Sequence, residues 1–409
     1  MTLSRIGRIS RALVVSVAVG LGMTACGGYT VGFMWVLGTQ YNQIAGYKID
    51  DYTGNLTQTV NSPYPSGGTN PVSIAVRAGG TYVYVVNKGT GNGDGNVAVF
   101  AVGEDGILTF QEAYSTAGNT PVWAAADGLG SYLYVLDSKA PDYATTGNGD
   151  ITVFAIDGST GRLQLVPNQA IRDSSGHQLN YFEVGKAPTM MEYGGGSCIY
   201  TLDSGDQTIF PYGVGGGGQL VLEANSTIQT GATNLTSIDI AGSGVYLTDA
   251  GDPSIQGNPG SIIPYTAGSN CSLSVNADGA VANLPGTSNP VYSITDSKDK
   301  FLYVLNYNTT NTNTSTANSS ISAFTIEPST GRLQALSDIQ NPYAVGNGPS
   351  CIVEDPSHQY LYTSNNIDGT VTGKLINSGN GQLSDLIRGS TFPAFQSGAK
   401  CLAVSGNVD

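Results

Sequence analysis

Two acidic residues hold equivalent places in a segment that recurs along this chain. Glu192 lies in "PTMMEY" (188–193) and Asp239 in "LTSIDI" (235–240), each as the fifth residue of six. Neighbouring carboxyl groups can do acid–base work, because the charge of one holds the proton on the other, or they can share a cation. Arg77, Arg172, Lys186 and His177 are the side chains placed to reach the same mouth and orient a carbonyl or carboxylate. The competing reading is that solvated strands lining a channel accept isolated polar residues without any chemistry. Glu192, Asp239, His177 and Arg77 are therefore the catalytic candidates, with both readings open.

Metal and cofactor chemistry find little support. "GNGDGN" (91–96) spaces Asn92, Asp94 and Asn96 like the start of a calcium loop. It lacks the opening Asp, the sixth-position Gly and the closing Glu, and a plain turn fits better. There is no CxxC, no Cys/His cluster, no GxSxG, no Walker loop and no GxGxxG before a helix. The "GGGG" at 215–218 is read as a hairpin. No metal and no cofactor are expected.

The elements that must position these residues follow from a repeat. An aromatic-rich alternating strand occurs seven times: "FMWVLG" (33–38), "YVYVVN" (82–87), "YLYVLD" (132–137), "CIYTLD" (198–203), "GVYLTD" (244–249), "FLYVLN" (301–306) and "YLYTSN" (360–365). The last six are each preceded by a second strand, such as "PVSIAV" (71–76) or "PSCIVE" (349–354), mostly opened by proline, where a missing N–H costs little. A third strand follows, as in "VAVFAV" (97–102), then a tight turn and a leucine-bearing fourth strand, as in "TGRL" (160–163). Four antiparallel strands, A-B-C-D, repeated seven times predict an all-β, seven-bladed β-propeller. The first copy lacks strand A, and "AKCLAV" (399–404) has the A pattern with no B strand after it. The C-terminal strand is thus expected to complete blade 1 and close the ring, which shields the sheet edges.

The segments "YLYVLDS…ITVFAIDGSTGRLQLV" and "FLYVLNY…ISAFTIEPSTGRLQAL" resemble the lactonase-like seven-bladed propeller family, which includes 6-phosphogluconolactonase-like and muconate-cycloisomerase-like proteins. The resemblance covers about residues 31–409. It implies a lactone hydrolase or related sugar-acid enzyme, with His, Arg and acidic side chains around the central channel. This sequence departs from that pattern. His358 sits in an A–B hairpin, "PSHQYLY", and His177 in a long insertion, so no catalytic residue carries over. "YVYVVNKG…GNVAVF" and "YLYTSNNIDGTVTG" are more loosely similar to the YVTN-type propellers of surface proteins.

Residues 1–25 read as an export signal, with Arg5, Arg8 and Arg11 ahead of the short apolar run "ALVVSVAVGLGM". "MTAC" looks like a lipobox, giving lipidation at Cys26 and a tether over 26–30; an ordinary cleaved signal is the alternative. The expected location is a bacterial cell envelope, periplasmic or at the surface, with the membrane as partner through the lipid. Cleavage leaves 13 Lys+Arg against 30 Asp+Glu, a net charge of −17. Such a surface repels polyanions, so nucleic acid is not expected as a partner. Four further cysteines in an exported chain predict two disulfides, Cys351–Cys401 beside the ring closure and Cys198–Cys271 on one face.

Long connections at 138–150, 168–187, 250–261 and 307–320 are expected mainly on the face carrying the B–C and D–A loops, the last rich in N-x-[ST] sequons. They mark either a binding surface for a protein or glycan or merely tolerated polar insertions. Two functions follow: a membrane-tethered ligand-binding or scaffold module using that face, or an extracytoplasmic lactone hydrolase. "STGRLQ" occurs at 159–164 and 329–334 and is read as a C–D joint on the outer rim, not a catalytic motif.

Overall fold

Alternating aromatic and β-branched residues build short strands, and Gly, Asn and Asp supply the turns between them. A computed structural model describes residues 29–194, 197–223, 227–252, 254–255, 258–307, 319–395 and 398–406. The export signal, Cys26, the sequons of 308–318 and most of the tether lie outside the described residues. Seven antiparallel sheets follow one another around a ring. No helix among the described residues is long and apolar enough to cross a membrane.

Blade 2 shows the plain unit: A (Pro71–Val76), B (Tyr82–Asn87), C (Asn96–Val102) and D (Leu108–Tyr114). In the other six blades the outer D strand is broken in two, and both pieces pair with strand C. In blade 3, Leu163–Leu165 and Phe182–Lys186 both pair with Asn148–Ile156. The insertion expected on the loop-rich face is therefore, over 166–181, an excursion from the middle of an outer strand. It sits on the rim because the chain must return to finish strand D.

Ring closure is as the repeat predicts. Ala399–Gly406 pairs antiparallel with Thr30–Gly38, joining Trp35 to Ala403 and Phe33 to Ser405.

A single contact recurs between blades. The aromatic that opens strand B lies against the turn glycine of the next blade's C–D hairpin: Phe33 on Gly106, Tyr82 on Gly161, Phe301 on Gly381 and Tyr360 on Gly54. Two residues on, a second aromatic donates to that glycine's carbonyl. Trp35 Nε1 bonds Gly106 at 3.1 Å, Tyr303 Oη bonds Gly381 at 3.0 Å and Tyr362 Oη bonds Gly54 at 2.6 Å. The "STGRLQ" joint is this turn. Gly161 has φ +68°, and a Cβ there would collide with the Tyr82 ring.

Blades 4 and 5 depart from the pattern in a compensating way. Cys198 stands where five of the other blades carry the first aromatic and blade 5 carries Gly244, and Cys271 stands at the turn-glycine position with φ +55°. The two form a disulfide with Cα atoms 5.6 Å apart, so a covalent bond replaces the ring-on-glycine contact. The neighbouring Tyr200 hydroxyl finds no hydrogen-bond partner among the described residues. The second predicted disulfide is not formed. Cys351 and Cys401 are buried free thiols with sulfurs 2.7 Å apart. They belong to A strands of adjacent blades, which bring the two sulfurs face to face.

The interblade contact predicts that Gly161→Ala lowers unfolding free energy by about 1–3 kcal/mol, from left-handed strain plus displacement of Tyr82. Gly128→Ala, where an added Cβ meets nothing within 4 Å, should change it by less than about 0.5 kcal/mol. Urea denaturation of the two variants checks the contrast; equal midpoints would remove the joint from its role.

Candidate functional site

The seven A strands line the central channel, and each has a register slip between its opening residue and the stretch that follows. A bulge lets consecutive residues face the same side, which simple alternation forbids. As a result the second residue of every A strand points into one cavity: Val72, Val122, Thr189, Thr236, Val291, Ser350 and Lys400. This upper chamber holds about 290 Å³ and lies at the end where the D–A connections arrive. Lys88, at the start of the blade 2 B–C loop, completes it.

The third residues form its floor. Trp123 of blade 3 and Tyr292 of blade 6 meet across the channel with ring centroids 6.2 Å apart. Both rings, together with Cys401, also line a second cavity of about 490 Å³ on the other side. That lower chamber opens at the A–B end, where Gly128 lies, and is walled mainly by alanine, valine, isoleucine and leucine. The two rings therefore partition the channel.

Charge is divided by the partition. Lys88 and Lys400 line the upper chamber with no carboxylate beside them, and neither ammonium has an ion-pair partner among the described residues. The hydroxyls there are partly committed: Ser350 Oγ donates to the Lys400 carbonyl at 2.5 Å and Thr236 Oγ1 to the Pro290 carbonyl at 2.6 Å. Each also lies beside a neighbouring hydroxyl, Thr236 with Thr248 at 2.7 Å and Ser350 with Ser364 at 3.3 Å, which leaves one lone pair on each oxygen able to accept. The lower chamber carries Glu192 and no cation. Burial, reinforced by the Asp239 charge, pushes the Glu192 carboxyl from its ordinary 4.5 up to about 8. Burial pushes Asp239 from 3.8 to about 6, against hydrogen bonds from Thr295, whose N–H donates to Oδ2 at 2.7 Å.

The structure thus brings Glu192 and Asp239 together, on adjacent strands, and leaves the other candidates elsewhere. Arg77 is on the same face, but its Nε donates to the Gly130 carbonyl at 2.9 Å and clamps blade 2 to blade 3. His177 is on the outer rim, its Nδ1 3.4 Å from Asp173 Oδ2 within the blade 3 excursion. Arg172 bonds the Gly176 carbonyl in the same excursion. Lys186 ends an outer strand at the opposite face from Glu192. Asp94 accepts from the Thr90 N–H at 2.7 Å, closing the "GNGDGN" loop on itself.

Sequence reasoning missed Lys88, Lys400, Trp123 and Tyr292. The signal was present in part: aligning the A strands puts Lys400 at the same position as Thr189, Thr236 and Ser350. What alignment does not show is the bulge that turns both second and third residues inward.

Residues 30–177 match the family described as lactonase, seven-bladed β-propeller. No curated protein matches the chain. The periplasmic gluconolactonase of Pseudomonas aeruginosa is similar in structure, with TM-score 0.67 and 14% identity over 92% of this chain and 100% of its own. A proposed 6-phosphogluconolactonase of Bacteroides fragilis NCTC 9343 gives TM-score 0.67 and 16% identity over 92% and 98%. A protein of Lactobacillus plantarum gives TM-score 0.68 and 15% identity over 92% and 100%. At these identities the likeness is one of fold.

The raised carboxyl has a consequence for stability. Folded Glu192 keeps its proton to about pH 8, whereas the unfolded group releases it near 4.5, so folding becomes less favourable as pH rises between those values. Glu192→Gln removes that loss. Its stability relative to wild type should grow steadily from pH 5 to pH 8 in urea titrations; a constant difference would mean that Glu192 is solvated and ionised throughout.

Proposed function

We propose that this lactonase-like seven-bladed propeller is an exported module that binds a small hydroxy acid, of the aldonate or aldonolactone class, in its upper chamber. The carrying observation is the pair of ion-pair-free ammonium groups, Lys88 and Lys400, above an aromatic floor. Ammonium groups donate to a carboxylate, while Thr236 and Ser350, their protons engaged by carbonyls, accept from ligand hydroxyls. The family match and the gluconolactonase neighbour support this ligand class.

Lactone hydrolysis is the second reading, favoured by the same likenesses. It needs a base and a stabiliser for the developing oxyanion at one carbonyl. Here the carboxyl groups lie beneath the Trp123–Tyr292 partition and the lysines above it, an arrangement that suits binding better than hydrolysis. Export and lipidation at Cys26 complete the proposal, and the Cys198–Cys271 disulfide supports an oxidising compartment. A protein or glycan partner would meet the same B–C and D–A face.

Calorimetry with gluconate tests the chamber: Lys88→Ala/Lys400→Ala should weaken binding at least about tenfold, from the loss of charged hydrogen bonds. Unchanged affinity would overturn the assignment. Glucono-δ-lactone in a pH-stat decides the second reading, since acid release above the uncatalysed rate means turnover. Separately, Cys26→Ser should move the protein from the membrane fraction to the soluble one; retention in the membrane would exclude the lipid tether.

A further inference from the structure

The lower chamber is left unused by a ligand held above the partition, and its chemistry is of the opposite kind. Its walls are mainly aliphatic, its roof is two aromatic rings and its one lining carboxyl is Glu192, beside the Tyr193 phenol and the Cys401 thiol. Glu192 makes no ion pair among the described residues. Asp239 on the next strand adds a second acidic group behind it, held by the Thr295 N–H. Apolar walls remove water from a ligand, aromatic faces attract a cation through their quadrupole, and a carboxylate supplies the counter-charge.

We infer that the A–B face of the propeller carries a second site, which takes a small hydrophobic organic cation, an aryl- or alkylammonium, with Glu192 as counter-charge and Trp123 and Tyr292 as its aromatic roof. A mineral cation fits less well. A small hydrated ion needs several oxygen ligands, and among the described residues no cluster of three or more His, Cys, Asp or Glu side chains could hold one. An aliphatic chamber of about 490 Å³ suits an organic group, and its lining carboxyl defines the sign of the charge. The two ends of one channel would then select opposite ions, because the partition keeps each set of charges with its own mouth.

Benzyltrimethylammonium chloride is the probe, titrated by calorimetry and followed by tryptophan fluorescence at pH 8.5, above the value to which burial raises Glu192. Saturable binding is expected for the wild type, with benzyl alcohol, a neutral compound of similar shape, binding at least tenfold more weakly. Glu192→Gln should lose at least tenfold in affinity for the cation, and Asp239→Asn should lose less. Glu192→Gln should still bind gluconate as the wild type does, which shows that the fold and the upper chamber are intact. The inference is overturned if the cation does not saturate, or if Glu192→Gln binds it as well as the wild type.

Discussion

Most of the joints in this ring depend on an aromatic side chain lying on a backbone turn. In blades 1, 2, 3, 6 and 7 strand B ends its outward reach at the next blade's C–D hairpin, and glycine there leaves room for the ring. In blades 1, 6 and 7 the turn carbonyl then accepts from the second aromatic, so apolar burial and a polar bond are made by one joint. Because blade 7 uses the same joint on blade 1, through Tyr360, Tyr362 and Gly54, the contact closes the circle as well as propagating it. Burial of the aromatic bodies gives the energy, and the hydroxyl or indole bond, where it forms, fixes the ring on the turn.

The exception strengthens this view. At the junction of blades 4 and 5 both partners of the ring-on-glycine contact are replaced together, by Cys198 and Cys271. A cysteine at φ +55° is strained relative to glycine, and the covalent link offsets that strain. The adjacent thiols Cys351 and Cys401 have no such partnered turn and remain unbonded at the closure of the ring.

A channel formed by seven converging strands has a narrow waist, and in this chain two large rings fill it. Trp123 and Tyr292 come from blades on opposite sides, so their 6.2 Å approach divides what would be a continuous pore. Division has an electrostatic effect. Lysines above and carboxyls below are separated by apolar rings instead of neutralising one another, and burial without a counter-charge raises the Glu192 carboxyl to about 8. A sequence with isolated channel residues thus becomes two chambers, one lined by lysines and the other by a carboxyl.

The sequence by itself determined the blade. Strand alternation, opening prolines and the Thr-Gly turns act over a few residues, and their recurrence is visible without any long-range contact. It also placed Glu192 beside Asp239, because equivalent positions in neighbouring blades are neighbours in space, and Cys198 near Cys271, because a strand B opening and the next blade's C–D turn share one face. His177 and Arg77 were not placed, because an excursion on the rim and an interblade clamp are set by how the chain returns to its sheet. Only the tertiary structure decided which residues meet across the axis. Lys88 and Lys400, and Trp123 and Tyr292, lie far apart in the chain and on different blades; the A-strand bulges turn Lys400, Trp123 and Tyr292 inward, and the closed ring brings the Lys88 loop to them. Convergence at an axis is a property of the whole circle of blades, and no single repeat contains it.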